Sequence, residues 1–266
     1  MGGSFSRGTP PRLGFSSLGS LGQSAPRYSL LGGLGGPSPS TQGLSSLASL
    51  FVKPVRRRAF FSFHFEDIMR VNNVRQSWRT HSTGTILIPS FTDSSLWESK
   101  QLEGSDALKK LIREGVEHTS AVCVLAGSET WLRRWVKYEI ARAVIDNRGL
   151  LTVHINGLNH HQRRIPDRLG PNPLNFLAVG QDEFGRFYLF EKFAVATGYA
   201  YPQYRWEWRR YEDYTRAVSL PAYLARPAPG YVTPLSTGAP EYCFATDNGS
   251  KNIGLWIDRA AQMVGR

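Results

Sequence analysis

A chain of 266 residues, 41% hydrophobic and 12% aromatic, can bury a core and accommodates one domain or two. Its net charge of +11 suits polyanionic partners or a spread, solubilising surface, and no zinc-finger spacing or RNP-type motif selects nucleic acid. Two cysteines, Cys123 and Cys243, are too few for a disulfide scaffold and point to a reducing cytoplasm. No window approaches about 18 consecutive apolar residues, which excludes a membrane-spanning helix.

Residues 1–54 contain no Asp or Glu and are crowded with Gly, Ser, Pro and Leu. Such a segment cannot bury enough surface to offset its ordering entropy, so it is expected to be a disordered leader. A flexible linker, an Arg-containing, acid-free transit peptide and translated upstream sequence all fit it.

The folded body is expected over residues 55–266. Ala59–Phe65 (AFFSFHF) is short and aromatic, as a buried strand is. Asp67–Arg79 is spaced for a helix, with Ile68, Val71, Val74 and Trp78 on one face. Thr85–Ile88 (TILI) reads as a second strand ended by Pro89, and a polar loop runs through Trp97–Gly104. Asp106–His118 is amphipathic, with Leu108, Leu111, Ile112 and Val116 inward and Ser105 as its N-cap. Ala121–Ala126 (AVCVLA) is the third strand, Ser128–Asp146 a helix and Leu150–Ile155 the fourth strand.

This β-α-β-α-β-α-β order predicts an α/β fold: a parallel sheet with right-handed crossovers and helices on both faces. Between 156 and 249 the chain is rich in Pro, Tyr and Trp. Its run Tyr204-Arg205-Trp206-Glu207-Trp208-Arg209-Arg210 suits either a decorated loop packed on the core or a surface that stacks bases. Lys251–Val264 closes the chain as a helix with Ile253, Trp256, Ile257 and Ala260 on one face.

In parallel sheets of this kind, ligands bind beyond the carboxyl ends of the strands. Phe63, His64, Ser128 and Glu139 are expected near that edge. Trp135 stands four residues before Glu139, which puts both on one helix face. A carboxylate beside an indole there can bind a ribose and steady a positive charge. The alternative for Glu139 is a surface pairing with Lys137 or Arg142. There is no Gly-x-Gly-x-x-Gly after a strand and no Walker A loop, and His154, His160 and His161 lack metal-ligand spacing, so no metal is expected.

Three stretches, Arg57–Trp78, Ser128–Ile140 and Asn248–Ala261, resemble the TIR-like family of Thoeris antiphage defence (ThsB-like). The stretch Ser128–Ile140 is similar to the TIR catalytic helix, in which a tryptophan precedes the glutamate by four. Many TIR enzymes have Cys after that tryptophan and Leu after the glutamate; here they are Val136 and Ile140, both apolar. The long insert before the last helix also departs from ordinary TIR domains.

The resemblance implies a flavodoxin-like fold and cleavage of the nicotinamide–ribose bond of NAD, with NAD as substrate and no further cofactor. Departure of nicotinamide leaves an oxocarbenium-like ribose, which a fixed carboxylate stabilises. The resemblance makes Glu139 the catalytic residue; Ser62, Phe63 and His64, where the first strand ends, and Trp135, a turn from Glu139, are expected as substrate contacts, with core packing as the alternative for Phe63 and Trp135. Water as nucleophile yields ADP-ribose; attack from within the same nucleotide yields a cyclic isomer, and the family favours the cyclic signal. The implied partners are an effector protein activated by that product and a second copy of the chain, with no membrane. A non-catalytic interaction module is the alternative reading, and a nucleic-acid sensor a weaker one.

Overall fold

The computed structural model describes residues 57–81, 104–197 and 203–266. The expected leader 1–54, the strand expected at Thr85–Ile88 and most of the loop expected at 97–104 lie outside the described residues.

The apolar runs form the strands of one sheet. β1 (Ala59–Phe63), β2 (Ala121–Ala126), β3 (Gly149–His154) and β8 (Glu241–Cys243) lie side by side in that order, every pair parallel. β2 and β3 are buried along their whole length, as strands covered on both faces are. One face is covered by α1 (Ile68–His81) and α4 (Gly249–Gln262). There Val71, Val74, Trp78, Ile253, Trp256 and Ile257 pack on Phe61, Cys123, Leu125, Leu151 and Val153. The other face is covered by α2 (Ser105–Glu117) and α3 (Arg134–Ile145), with Leu108, Ile112, Val116, Ile140 and Val144 against Phe60, Val122, Val124 and Leu150. The α/β expectation therefore holds.

Beyond β8, which falls in the stretch expected as an insert rather than as a strand, three details differ from expectation. Ser105 is the first helical residue rather than the cap; Gly104, at φ 110°, precedes it without a side-chain hydrogen bond. A left-handed φ of that kind suits glycine alone, so the chain turns into α2 one residue earlier. Ser128–Asp146 is not one helix. Thr130–Leu132 forms a 3-10 turn, Arg133 is extended (φ −80°, ψ 120°), and α3 begins at Arg134. The buried Thr130 hydroxyl accepts the Gly127 N–H at 2.9 Å, holding a turn where a helix would leave that group bare.

The third difference is larger. The insert is not a packed loop but a second, antiparallel sheet, in the order β6 (Gln203–Arg210), β5 (Phe187–Thr197), β4 (Leu177–Gln181), β7 (Val232–Pro234). Leu174, Leu177, Val179, Leu189, Tyr211 and Leu235 join the core cluster of α2 and α3, so α3 lies between the two sheets. The β5–β6 hairpin reads as charged and aromatic because cross-strand pairs, such as Trp206 opposite Ala194 and Trp208 opposite Lys192, carry its contacts.

Candidate functional site

Strand alternation decides which β1 side chains reach the site. Phe61 and Phe63 belong with the α1/α4 layer, whereas Phe60 joins the α2/α3 core. Ser62 shares the Phe60 side and is fully buried. Its hydroxyl donates to Glu139 Oε2 at 2.5 Å. α3 supplies that carboxyl from a helix turn otherwise filled by Val136, Tyr138, Ile140 and Ala143. Glu139 is only 6% exposed. Burial pushes its carboxyl up to about 8, against a smaller downward pull from the Ser62 hydrogen bond.

Neither alternative partner engages it. Lys137 lies 3.9 Å from Glu191 on β5, and Arg142 pairs with Asp146. Trp135, one turn before Glu139, is half-buried; it meets Tyr138 edge-on at 6.2 Å and lies beneath the Arg134 guanidinium at 5.2 Å. Phe63 sits on the opposite sheet face, with Arg75 over its ring at 5.3 Å. The structure thus brings Ser62 to Glu139 and keeps Phe63 away.

His64 stands just beyond β1, at the carboxyl edge. It lines a cavity of about 150 Å³ with Glu66, Asp67, Glu129, Arg163 and Asp167. Burial, then the charge of Arg133, lowers its imidazole below the ordinary value, which favours the neutral ring. Under the cavity, buried Arg70 bridges Asp67 and Asp167, at 2.7 Å to each. Among the described residues, His64, Glu66 and Glu129 can bring one ligand atom each within 4.8 Å of the others, but Glu129 is engaged by Arg133 at 2.5 Å. The His160 and His161 rings stack at 4.6 Å, while His154 meets Glu241.

Pattern reading missed a second polar chain on this sheet face. The register sets Ser62, Val124 and Thr152 level across three strands. Thr152 donates to Asn172 Oδ1 at 2.9 Å, and Asn172 donates to Glu241 Oε2 at 2.8 Å. The other Glu241 oxygen is 2.7 Å from His154 Nε2. These two residues are 87 positions apart, so only the pairing of β3 with β8 could have revealed the chain.

The aromatic-basic run forms β6. Arg205 is paired with Glu207, and Arg209 with Glu191 and Glu212, so these arginines are already matched by carboxylates in or just beyond the sheet. No helix among the described residues is long and apolar enough to cross a membrane.

A parallel sheet clothed by helices, with a buried carboxyl on the helix after β2 facing the carboxyl half of β1, defines a TIR-like domain. Residues 60–160 match the family model for the Thoeris protein ThsB, TIR-like domain. A Bacillus cereus (strain MSX-D12) protein named "Putative cyclic ADP-D-ribose synthase ThsB1" is 31% identical over 207 residues, spanning 76% of this chain and 99% of that protein. The chain belongs to the Thoeris ThsB family of TIR-like proteins.

Proposed function

We propose that the protein cleaves the nicotinamide–ribose bond of NAD and closes the product into a cyclic ADP-ribose-type signal for antiphage defence. The observation that carries this reading is Glu139, a carboxyl buried on the catalytic-type helix and held by Ser62. The cyclic ADP-D-ribose synthase name of the Bacillus cereus relative supports the product class.

As nicotinamide leaves, positive charge gathers on the ribosyl carbon and ring oxygen. A carboxylate fixed in a low-dielectric site stabilises that charge strongly and needs no reorganisation. Ser62 holds the Glu139 carboxyl in one orientation, so the field is set before bond breaking. His64, which lines the edge cavity with Asp67 and Glu129 rather than touching Glu139, is suited as a neutral ring to accept or donate a hydrogen bond to a ribose hydroxyl. Trp135 walls the helix turn above. Closure of the ring requires that a group of the same nucleotide reach the ribosyl carbon before water does. The product acts in the cytoplasm on an effector protein.

Purified protein, alone and with phage-infected extract, is incubated with NAD and the small molecules are read by mass spectrometry. Loss of NAD with a cyclic isomer is expected, and Glu139→Gln should abolish both. Undiminished turnover by that variant would remove Glu139 from the chemistry.

A further inference from the structure

We propose that the Ser62–Glu139 pair is a cation receptor that gives up a proton as the charged nicotinamide ring enters, and thereby selects the oxidised dinucleotide over its neutral, reduced form. This rests on the NAD reading above and names what in the site recognises the ring.

The surroundings of the carboxyl set its charge. Glu139 is buried, and the hydrogen-bond donor that meets it among the described residues is a neutral hydroxyl. The charged groups described on the elements around it are engaged elsewhere or face solvent. On α3 itself, Arg134 goes to Asp213, Lys137 to Glu191 and Arg142 to Asp146. On α2, Lys109 goes to Asp213, and Arg113 is exposed. On β3, His154 goes to Glu241; on β5, Glu191 is taken by Lys137 and Arg209. The phenols of Tyr138 and Tyr211 are kept neutral by burial.

A buried carboxylate with one neutral donor and, among the described residues, no counter-ion is costly, so the acid keeps its proton well past neutrality, to about pH 8. A pyridinium ring brings the missing charge. The neutral acid and the cation become an ion pair, and one proton passes to solvent. A dihydronicotinamide ring is uncharged and offers nothing in exchange. Ser62 favours the ionised form because its O–H donates to the anion more strongly than to the acid. A ligand that prefers one protonation state shifts the equilibrium by that preference.

The test measures binding rather than turnover. The probe is carba-NAD, in which a methylene replaces the ribose ring oxygen: it keeps the pyridinium charge and resists cleavage. Calorimetry between pH 6 and pH 9, in buffers of different ionisation enthalpy, should show affinity rising by about tenfold per pH unit below the break and level above it, with close to one proton released per ligand at pH 7. NADH should bind more weakly, with no such slope. Glu139→Gln should still bind carba-NAD but lose the slope and the proton release. Ser62→Ala, which carries the same test if Glu139→Gln does not fold, should move the break to higher pH. A flat profile for the unaltered protein, or an equal slope in Glu139→Gln, overturns the coupling and leaves the NAD reading standing. Failure of carba-NAD to bind at any pH overturns both.

Discussion

Ser62 and Glu139 are separated by 77 positions in the chain, yet the hydroxyl of one donates to the carboxyl of the other at 2.5 Å. One comes from the carboxyl half of β1 and the other from the inner face of α3, so the contact reports how that helix crosses the sheet. It also couples the stability of the fold to the protonation of the site.

Glu139→Gln tests that coupling without substrate. The unfolded carboxyl ionises near its ordinary value of 4.5, whereas the folded one keeps its proton to about 8. Between those values the native state binds the extra proton, so native stability falls as pH rises and the loss is complete above pH 8. At about 1.4 kcal/mol per pH unit, the full effect is on the order of a few kcal/mol. Glutamine does not titrate and can still accept from Ser62. Melting curves from pH 5 to pH 9 should show the variant gaining on the parent steadily up to pH 8. Parallel curves would mean that the carboxyl is not displaced.

Ser62→Ala removes the donor that favours the ionised form. The carboxyl of Glu139 should then titrate higher still, read from its side-chain carbon by NMR. Stability near pH 6 should fall by roughly 1 kcal/mol, the ordinary worth of such a hydrogen bond. An unchanged titration would show that the hydroxyl does not act on the carboxyl.

Arg70→Ala strikes the ion cluster under the edge cavity. Arg70 is 2% exposed, bridges Asp67 and Asp167, and donates to the Leu158 carbonyl at 3.0 Å. Its removal leaves two carboxylates facing each other in a poorly solvated place, and about 3–5 kcal/mol of stability should go. Burial raises Asp167, but the hydrogen bond and charge of Arg70, then Arg163 and His160, outweigh it and hold the carboxyl below its ordinary value. That stabilisation is present above about pH 4 and is lost as pH falls through the lower folded value. Urea titrations at pH 3 and pH 7 should therefore show a smaller acid loss in the variant than in the parent.

Gly149→Ala tests a close approach. A β-carbon on Gly149, at the start of β3, would stand 2.4 Å from the Ala260 carbonyl oxygen of α4. Backbone cannot yield as a side-chain tip does, so α4 must shift off the sheet. A loss of about 2 kcal/mol or more is expected, which lowers Tm by roughly 4 °C or more. An unaltered melting temperature would show that α4 has room to spare at this crossing.

Three strands of the parallel sheet, β1, β2 and β3, were legible because they are short, largely apolar runs of five or six residues, and α1, α2 and α4 because their apolar positions repeat at helical spacing; β8, only three residues long, was not. The antiparallel sheet was not. In β6 charges and aromatics alternate with no apolar run, and the partner of each residue is on the neighbouring strand β5. The extended Arg133 was equally hidden, since the Thr130 hydroxyl that holds the preceding turn is polar in a stretch otherwise spaced for a helix.

For the site, the amino-acid order alone determined that Glu139 and Trp135 share a helix face and that this helix follows a buried strand, because periodicity states which residues turn the same way. It could not state what that face would meet. Tertiary packing decided that Ser62, and not Lys137 or Arg142, receives the carboxyl, that Phe63 turns to the other side of the sheet, and that Thr152, Asn172, Glu241 and His154 join. The physical reason is that strand register and helix crossing set distances between segments remote in the chain, and burial then fixes the protonation of whatever they enclose.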